Sequence, residues 1–278
     1  MNLDEIRKRM DRLQNKSNGK SKSDYKANFW KPPSGEKSVI RIVPYKHNKE
    51  IPFTELYFYF GIDKPRMMSL SNFDESDPIL EFASQLRKSN DPDNMALAKK
   101  LYPKMRTFAP VIVRGEEDKG VRLWQFGKLI YEELLSLAVD EEIGDYTDIA
   151  SGRDITVETV GPESTGTQYN KSSVRVRLKQ TPLSEDAALV EKWTKEQPDP
   201  TKEFKRFTFD EMKSALEKWL SPETEEEGDI VSEPAEDFDS DPPKSSFSLD
   251  TSKAKKNKSD KFDSLFDDDK DKTDDLPF

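Results

Sequence analysis

One short segment of the sequence alternates between basic and apolar side chains. Over residues 174–179, Arg175, Arg177 and Lys179 are separated by Val or Leu. In a β-strand, residues two apart point to the same face and lie about 7 Å apart, so these three cations form one row. Such a row suits the phosphates of an extended nucleic-acid strand, because Lys and Arg neutralise phosphate charge. The segment therefore predicts a nucleic-acid-binding strand.

Aromatic side chains accompany basic ones on other candidate strands. Tyr57 and Tyr59 share one face of the segment 55–60, opposite an apolar face, and a basic residue shares a face with an aromatic one in 106–108 and 122–124. Aromatic rings stack on nucleobases for about 1–3 kcal/mol each and tolerate any base sequence. In the alternative interpretation, solvent-facing strands are simply charged and the rings pack in the core. The predicted DNA-binding residues are Arg41, Tyr57, Tyr59, Lys104, Arg106, Phe108, Arg122, Trp124, Lys128, Arg175, Arg177 and Lys179.

Catalytic constellations are poorly represented. The chain has no Cys and a single His, His47, so no Cys–His pair is available and any Ser–His–Asp set would have to use that one residue. Neither GxxxxGK[ST] nor GxGxxG occurs to hold a phosphate. The densest carboxylate runs lie in a polar tail where no fixed geometry is expected. The sequence therefore favours a binding protein, not an enzyme.

The spacing of apolar residues predicts the elements that position these side chains. We expect a mainly β fold with helices, of the α+β class. The predicted strands are 39–43, 55–60, 107–113, 121–126, 155–160 and 174–179. The predicted helices are 78–88, 128–138, 184–195 and 208–220.

Charge is distributed unevenly along the chain. Its formal net charge is -10, but residues 222–278 alone hold 19 acidic and 8 basic residues. Residues 1–30 hold 8 basic and 4 acidic residues. Such asymmetry is typical of a nucleic-acid-binding arm combined with an acidic interaction tail. No apolar run approaches the roughly 18 residues of a membrane span, so we expect no membrane association.

The two ends of the chain have their own patterns. Residues 3–14 place Leu3, Ile6, Met10 and Leu13 at helical spacing, which predicts a short amphipathic helix. Residues 15–26 are polar and are expected to form a hinge. Residues 222–278 lack apolar periodicity, so we expect them to be disordered.

Several local sequences, in their order along the chain, resemble one family. They are Trp30-Lys31, Val39-Ile40-Arg41 before Pro44, Pro52-Phe53, residues 104–113, Phe126-Gly127-Lys128, Ala138-Val139-Asp140 and Glu203 to Phe207. In these features the chain resembles the single-stranded DNA-binding, helix-destabilising proteins of T-even-type bacteriophages.

That resemblance implies an architecture and a set of partners. Residues 27–221 are expected to form an OB-fold core with an inserted helical subdomain around 64–105 and a basic cleft for single-stranded DNA. The arm, 1–26, is expected to produce cooperative self-association along DNA through Arg7, Lys8, Arg9 and Arg12. The acidic tail, 222–278, is expected to recruit replication, recombination and repair proteins. Such a protein acts in the cytoplasm of an infected bacterial host.

The chain departs from the resemblance at a metal site. Well-known members carry a structural zinc held by one His and three Cys, two of them as CPxC. Here Asp77-Pro78-Ile79-Leu80 stands at the CPxC-like place and Tyr59 at the His position. We therefore expect no zinc and no other cofactor, and apolar packing in its place. The residues expected to supply that packing are Leu70, Phe73, Ile79, Leu80 and Phe82.

The last five residues resemble the acidic tip of bacterial single-stranded DNA-binding proteins. They are Asp274, Asp275, Leu276, Pro277 and Phe278. The resemblance implies docking of partner enzymes, with the Phe in a pocket and a basic rim around the acidic groups. Two further functions stay open at this point: a replication or transcription adaptor with weak nucleic-acid binding, and an RNA-binding OB protein.

Overall fold

The protein is described by a computed structural model for residues 27–89, 91–166 and 169–220. The predicted arm and hinge and the acidic tail with its tip lie outside these residues. The described strands are β1 (Phe29–Trp30), β2 (Lys37–Ile42), β3 (Thr54–Ile62), β4 (Lys64–Met68), β5 (Lys104–Val113), β6 (Arg122–Phe126), β7 (Arg153–Val160) and β8 (Lys171–Gln180).

Helices alternate with these strands, which confirms the predicted α+β class. The described helices are α1 (Pro78–Lys88), α2 (Pro92–Leu101), α3 (Lys128–Ala138), α4 (Pro162–Thr165), α5 (Ala187–Lys195), α6 (Pro200–Glu203) and α7 (Phe209–Leu220). The predicted bounds of α1 and α3 are confirmed to the residue. In contrast, β1, β4 and α2 were not predicted, although Asp91 before Pro92 is a helix start signal.

The chain divides into two compact units. The first contains the described residues up to 54 together with 107–203. Its antiparallel strands follow the order β6-β5-β2-β7-β8, with β1 added in parallel to β6. β2 thus pairs with both β5 and β7, and α3 connects β6 to β7. The OB-fold that the resemblance implies is also built on five strands, and closure of this sheet into such a barrel stays a prediction.

Packed side chains cover both faces of the first unit's sheet. Ile40, Ile42, Ile155 and Val157 are fully buried on one face. On the other, Val43 and Ile112 pack with Leu183 and with Trp193 of α5. This double cover explains why the central strands expose few side chains.

The second unit contains 55–106 and the described residues from 204 on. Its core joins the β3–β4 hairpin, α1 and α2 to α7. A capping box starts α7, because the Thr208 amide donates to Glu211 Oε2 at 2.9 Å and the Glu211 amide donates to Thr208 Oγ1 at 3.2 Å. Along α7, Met212 and Leu216 are buried, and Phe209 and Trp219 pack beside them.

A buried carboxylate organises the start of α1. Asp77 accepts hydrogen bonds from the amides of Ile79 and Leu80 through Oδ1, at 3.0 and 3.1 Å. Its Oδ2 accepts from Ser69 Oγ at 2.5 Å and from the Leu70 amide at 2.9 Å. Four donors thus satisfy both oxygens of a side chain that is 3% exposed.

The apolar packing predicted around this point is only part of the arrangement. Leu70, Ile79 and Phe82 are buried in the core of the second unit. Phe73 and Leu80 are half-buried. The Asp77 hydrogen bonds cap α1 and join it to the turn that follows β4.

Candidate nucleic-acid interface

The predicted row of cations on β8 is present. Arg175, Arg177 and Lys179 are exposed, while Val174 and Val176 are buried on the opposite face. We call these three cations the basic row. The alternation that the sequence showed over 174–177 is therefore confirmed.

Leu178 departs from this alternation. It was predicted to face the core but is 86% exposed. The pairing of β7 with β8 is irregular between Arg153 and Ile155, and the Arg153 guanidinium donates to the Leu178 carbonyl. The irregularity leaves this end of β8 with solvent on both faces, since a bulge disrupts the ladder locally.

The strand beside the basic row adds little negative charge to this face. Arg175 lies opposite Thr156 of β7, and Arg177 Nε donates to Thr156 Oγ1 at 3.4 Å. Two carboxylates flank Thr156 on this face of β7: Asp154 pairs with Arg41 and Arg114, and Glu158 pairs with Lys37 at 3.2 Å. The face is therefore cationic where β8 crosses it.

Arg41 does not lie on this surface, so its predicted exposure is wrong. Its side chain is fully buried, and Nε pairs with Asp154 Oδ1 at 3.0 Å. Nη2 donates to the Thr181 carbonyl at 2.5 Å and to Thr181 Oγ1 at 2.7 Å. Burial lowers the pKa of the Arg41 guanidinium, and Asp154 opposes that shift. The residue joins β2 to the chain after β8.

The aromatic residues of β5 and β6 are also in the core. Phe108 and Trp124 are each 1% exposed. The cause is β1: it pairs with β6 and sets Trp30 against Trp124, with ring centroids 5.7 Å apart, and Phe29 against Phe108, at 6.3 Å. The packing alternative is correct for the environment of these two rings.

Two predicted arginines on the same strands are buried as well. Arg122 is 8% exposed and its Nη2 lies 2.5 Å from Glu116 Oε2. Hydrogen bonds from Lys119 and Arg122 lower the pKa of Glu116. Arg106 is 2% exposed and lies over the Phe60 ring, 5.1 Å from its centroid. The sequence predicted both arginines as DNA-binding residues and did not predict their burial.

Tyr57 and Tyr59 were predicted to share a solvent face, which is correct only for Tyr57. Tyr57 is 39% exposed, whereas Tyr59 is 1% exposed among the residues of the second unit's core. Burial raises the pKa of the Tyr59 hydroxyl far above its usual value. The helices of the second unit cover this face of β3, so the hairpin has two packed faces.

The opposite face of the hairpin carries a layer of phenylalanine and arginine. Arg66 lies 4.3 Å from the ring centroid of Phe204 and 5.4 Å from that of Phe58. Arg66 is also opposite Phe60 in the register of β3 and β4. We call Phe58, Phe60, Arg66, Phe204 and Arg106 the Phe–Arg layer. Stacked planar groups of this kind are what nucleobases stack on.

The sequence contained a partial signal for this layer. Phe60 belongs to the apolar face of the predicted strand 55–60, and Arg66 and Phe204 are not among the predicted site residues. Arg66 follows Pro65 in a short strand without clear alternation, and Phe204 lies in the basic–aromatic run 203–207. The contact between them needs the fold, since they are far apart in the chain.

Two predicted lysines are exposed at the starts of their elements. Lys104 begins β5 and Lys128 begins α3. Lys128 lies 3.4 Å from Glu132 one helical turn later. The cooperativity residues Arg7, Lys8, Arg9 and Arg12 and the tip, Asp274 to Phe278, lie outside the described residues.

Metal-binding and membrane-spanning features were searched within the described ranges. There, no group of three or more His, Asp or Glu side chains is arranged to hold a metal ion. None of the helices in the same ranges combines the length and apolar character of a membrane span. The arrangement offers an exposed cationic strand and a half-buried stacking layer.

Comparison with known proteins identifies a family. A family model described as gp32 DNA binding protein like matches residues 34–221, more than half of the chain. Curated proteins provide no match.

Proposed function

The chain belongs to the family of gp32-like DNA-binding proteins, and from this membership we propose that it coats single-stranded DNA without sequence preference. The family match supports single-stranded DNA as its ligand. Coating needs no chemical step, because binding one strand in preference to the duplex shifts the duplex equilibrium. The protein is accordingly a non-enzymatic one.

The observation that carries this proposal is the basic row on β8, the edge strand of the first unit's sheet. Arg175, Arg177 and Lys179 are exposed at strand spacing on β8, inside the residues that the family model matches. Each cation that neutralises a phosphate releases counterions, so binding must weaken as salt rises. Lys104 and Lys128 add cations, and Tyr57 and the half-buried Phe60 and Phe204 supply rings for stacking.

Binding is best measured by the anisotropy of labelled oligo(dT). Intrinsic fluorescence is an indirect reporter here, because Trp30, Trp124 and Trp193 are buried and only Trp219 of α7 is partly exposed. We expect saturable binding that weakens with salt, with a log–log slope of roughly 0.7 per phosphate contact. Equal affinity for duplex DNA would contradict the proposal, and preference for RNA of the same sequence would point to the RNA-binding alternative.

Charge reversal locates the binding surface. Arg175→Glu/Arg177→Glu is expected to weaken oligo(dT) binding by at least about tenfold, since it replaces two attractions by two repulsions. Lys192→Glu/Lys218→Glu changes the net charge equally at exposed positions of α5 and α7 and is the matched control. If both variants bind alike, the basic row is not the site.

We propose further that the protein acts in replication, recombination and repair in the cytoplasm of an infected bacterium. In this proposal the acidic tail recruits partner proteins, and its tip docks them through Phe278 and the neighbouring acidic groups. Partner binding should survive Arg175→Glu/Arg177→Glu whether the protein coats DNA or acts only as an adaptor. Only the absence of oligo(dT) binding in the unaltered protein would favour the adaptor alternative.

We propose that the fold needs no zinc. The Asp77 hydrogen bonds and the core of the second unit support this, since they join the segments that a metal would otherwise join. A chelator is expected to leave both the melting temperature and oligo(dT) affinity unchanged. Stoichiometric zinc in the purified protein, with a fall in melting temperature on its removal, would overturn this.

A further inference from the structure

The last part of β8 contains a large irregularity in its pairing with β7. Ile155 lies opposite Val176, and Arg153 lies opposite Gln180. Between these two pairs β7 has one residue, whereas β8 has the three residues 177–179. Two residues of β8 are therefore unmatched, and the strand bulges away from β7 at this point. We call residues 177–179 the β8 bulge.

A side chain of β7 holds the β8 bulge in place. The Arg153 guanidinium donates to the Leu178 carbonyl within the bulge. It also donates to the carbonyls of Glu142 and Ile143, both at 3.0 Å. Three backbone carbonyls thus bind one planar cation, whose donors have a fixed geometry. The conformation of the bulge is therefore set by the fold.

This conformation turns the side chain of Leu178 into solvent. Its exposure of 86% is the largest among the exposed large apolar residues of the described ranges. Regular pairing would place it on the buried face with Val174 and Val176. A single exposed leucine on a regular strand needs no explanation, but bulges often re-aim a side chain beside a functional site. High exposure on a fixed, bulged backbone therefore indicates a functional role.

Cations flank Leu178 on both sides. Arg177 and Lys179, its neighbours in the β8 bulge, are exposed members of the basic row. Asp154, the residue of β7 that the bulge spans, is bound by two other arginines, so its charge is already compensated. The bulge thus presents an apolar side chain between two cations. This arrangement matches a nucleotide, whose base lies between two phosphates.

We propose that Leu178 contacts a nucleobase of the DNA strand whose phosphates Arg177 and Lys179 bind. The inference rests on the proposed coating of single-stranded DNA and adds a base-contacting residue to it. β8 is the edge strand of the described sheet, so a DNA strand that crosses the edge at the β8 bulge contacts the cations and the leucine together. Leucine is among the side chains that proteins pack against unstacked bases, and every base offers a flat face for such contact.

This contact also favours single strands over duplex DNA. Bases in a duplex are paired and stacked on both faces, so an apolar side chain reaches a base face only where stacking is lost. Phosphates are accessible in both forms. The basic row therefore supplies affinity for either form, whereas Leu178 supplies part of the preference for the single strand.

An abasic oligonucleotide separates base contact from phosphate contact, because it keeps the phosphates of oligo(dT) and lacks the bases. Leu178→Ala is expected to weaken oligo(dT) binding about fivefold, since truncation removes most of the apolar contact. It should leave the abasic affinity and the salt slope unchanged. Arg175→Glu/Arg177→Glu should weaken binding to both ligands. Met95→Ala truncates an apolar side chain of α2 that is 49% exposed and is the matched control, with no change on either ligand.

The possible results separate this inference from the proposed function. A Leu178→Ala protein with unchanged oligo(dT) affinity would overturn the inference and point to a protein partner at the β8 bulge. An equal loss on the abasic oligonucleotide would also overturn it, because that ligand has no base to contact. Absence of oligo(dT) binding in the unaltered protein would instead refute the proposed function. Leu178→Met keeps the apolar bulk and should retain full affinity, so a loss as large as that of Leu178→Ala would count against apolar contact.

Duplex binding provides an independent measurement. Leu178→Ala is expected to bind an oligo(dA)–oligo(dT) duplex as the unaltered protein does, so the ratio of single-strand to duplex affinity should fall about fivefold. Arg175→Glu/Arg177→Glu should lower both affinities and change this ratio less. A parallel fall in the duplex affinity of Leu178→Ala would show that the leucine does not distinguish unstacked bases, and it would overturn the assignment.

Discussion

Arg41 and Asp154 form an ion pair, with 3.0 Å between Nε and Oδ1, in which the arginine side chain has no contact with solvent. Arg114 also binds Asp154, through Nη2 at 2.9 Å, and its Nη1 donates to the Leu183 carbonyl at 2.9 Å. The two guanidinium groups thus share one carboxylate. Together they hold the segment 181–183 against the sheet.

Loss of Arg41 should therefore be costly for stability. Arg41→Ala leaves the Thr181 carbonyl and part of the Asp154 carboxylate without donors, and we expect the free energy of unfolding to fall by about 3–5 kcal/mol. Urea denaturation measures this. Because the side chain is buried, oligo(dT) affinity per folded molecule should stay the same. A stable Arg41→Ala protein with weakened DNA binding would indicate that Arg41 contacts DNA.

Asp77 offers a comparison between two helix caps of different burial. Asp77→Ala removes four acceptor contacts in the core, so we expect a loss of roughly 2–4 kcal/mol in the free energy of unfolding. Asp91 caps α2 at an exposed position through one bond from the Asp93 amide, at 3.0 Å. Asp91→Ala should cost about 1 kcal/mol or less. Equal losses would argue against the special role of the Asp77 hydrogen bonds.

Buried tyrosines predict how stability changes at alkaline pH. Burial raises the pKa of Tyr45 from its ordinary 10.0 to about 12, and it raises the pKa values of Tyr59 and Tyr146 further. The unfolded chain therefore loses these protons before the folded protein does. Their contribution to stability is complete below pH 10 and is lost as the pH rises through the folded-state pKa values.

Absorbance titration of phenolate measures this effect. Three of the eight tyrosines should resist ionisation until the protein unfolds. Tyr45→Phe should reduce the loss of stability above pH 10, because it removes one of the protons involved. Ionisation of all eight tyrosines in one step, with the fold intact, would contradict the burial of these side chains.

The acidic tail is expected to compete with DNA for the basic row. Deleting residues 222–278 removes 19 acidic and 8 basic residues and should raise oligo(dT) affinity, most at low salt, where exposed charges are least screened. A tail of equal length with Asn and Gln in place of Asp and Glu keeps its 8 Lys and should raise affinity at least as much as the deletion. Unchanged affinity in both would show that the tail does not compete.

The alternation of apolar and polar residues predicted side-chain exposure correctly where a strand has one covered face and one face open to solvent. It located Arg175 and Arg177 because only β7 and the core cover β8 there. It failed for Trp124 and Phe108, since their cover comes from β1, a two-residue strand too short to show a period. It failed for Arg41 because a long cation can be buried when a distant carboxylate meets it.

The Phe–Arg layer shows the remaining limit. Arg66 and Phe204 are separated by more than one hundred positions, and neither has a periodic neighbourhood that marks it as a partner. Tyr59 was misplaced for a related reason: α1, α2 and α7 cover the face of β3 that alternation assigned to solvent. Pair contacts of this kind depend on topology, which a single sequence specifies only indirectly.

The place of α7 in the core of the second unit has a consequence for synthesis on the ribosome. Residues 55–106 emerge early, but Met212, Leu216 and Leu220, which complete their core, emerge about a hundred residues later. At typical rates of translation this is a delay of roughly 5–20 s. During that interval Phe82, Leu86 and Leu101 have no final partner, so the nascent second unit is the stage at which chaperones and proteases can act.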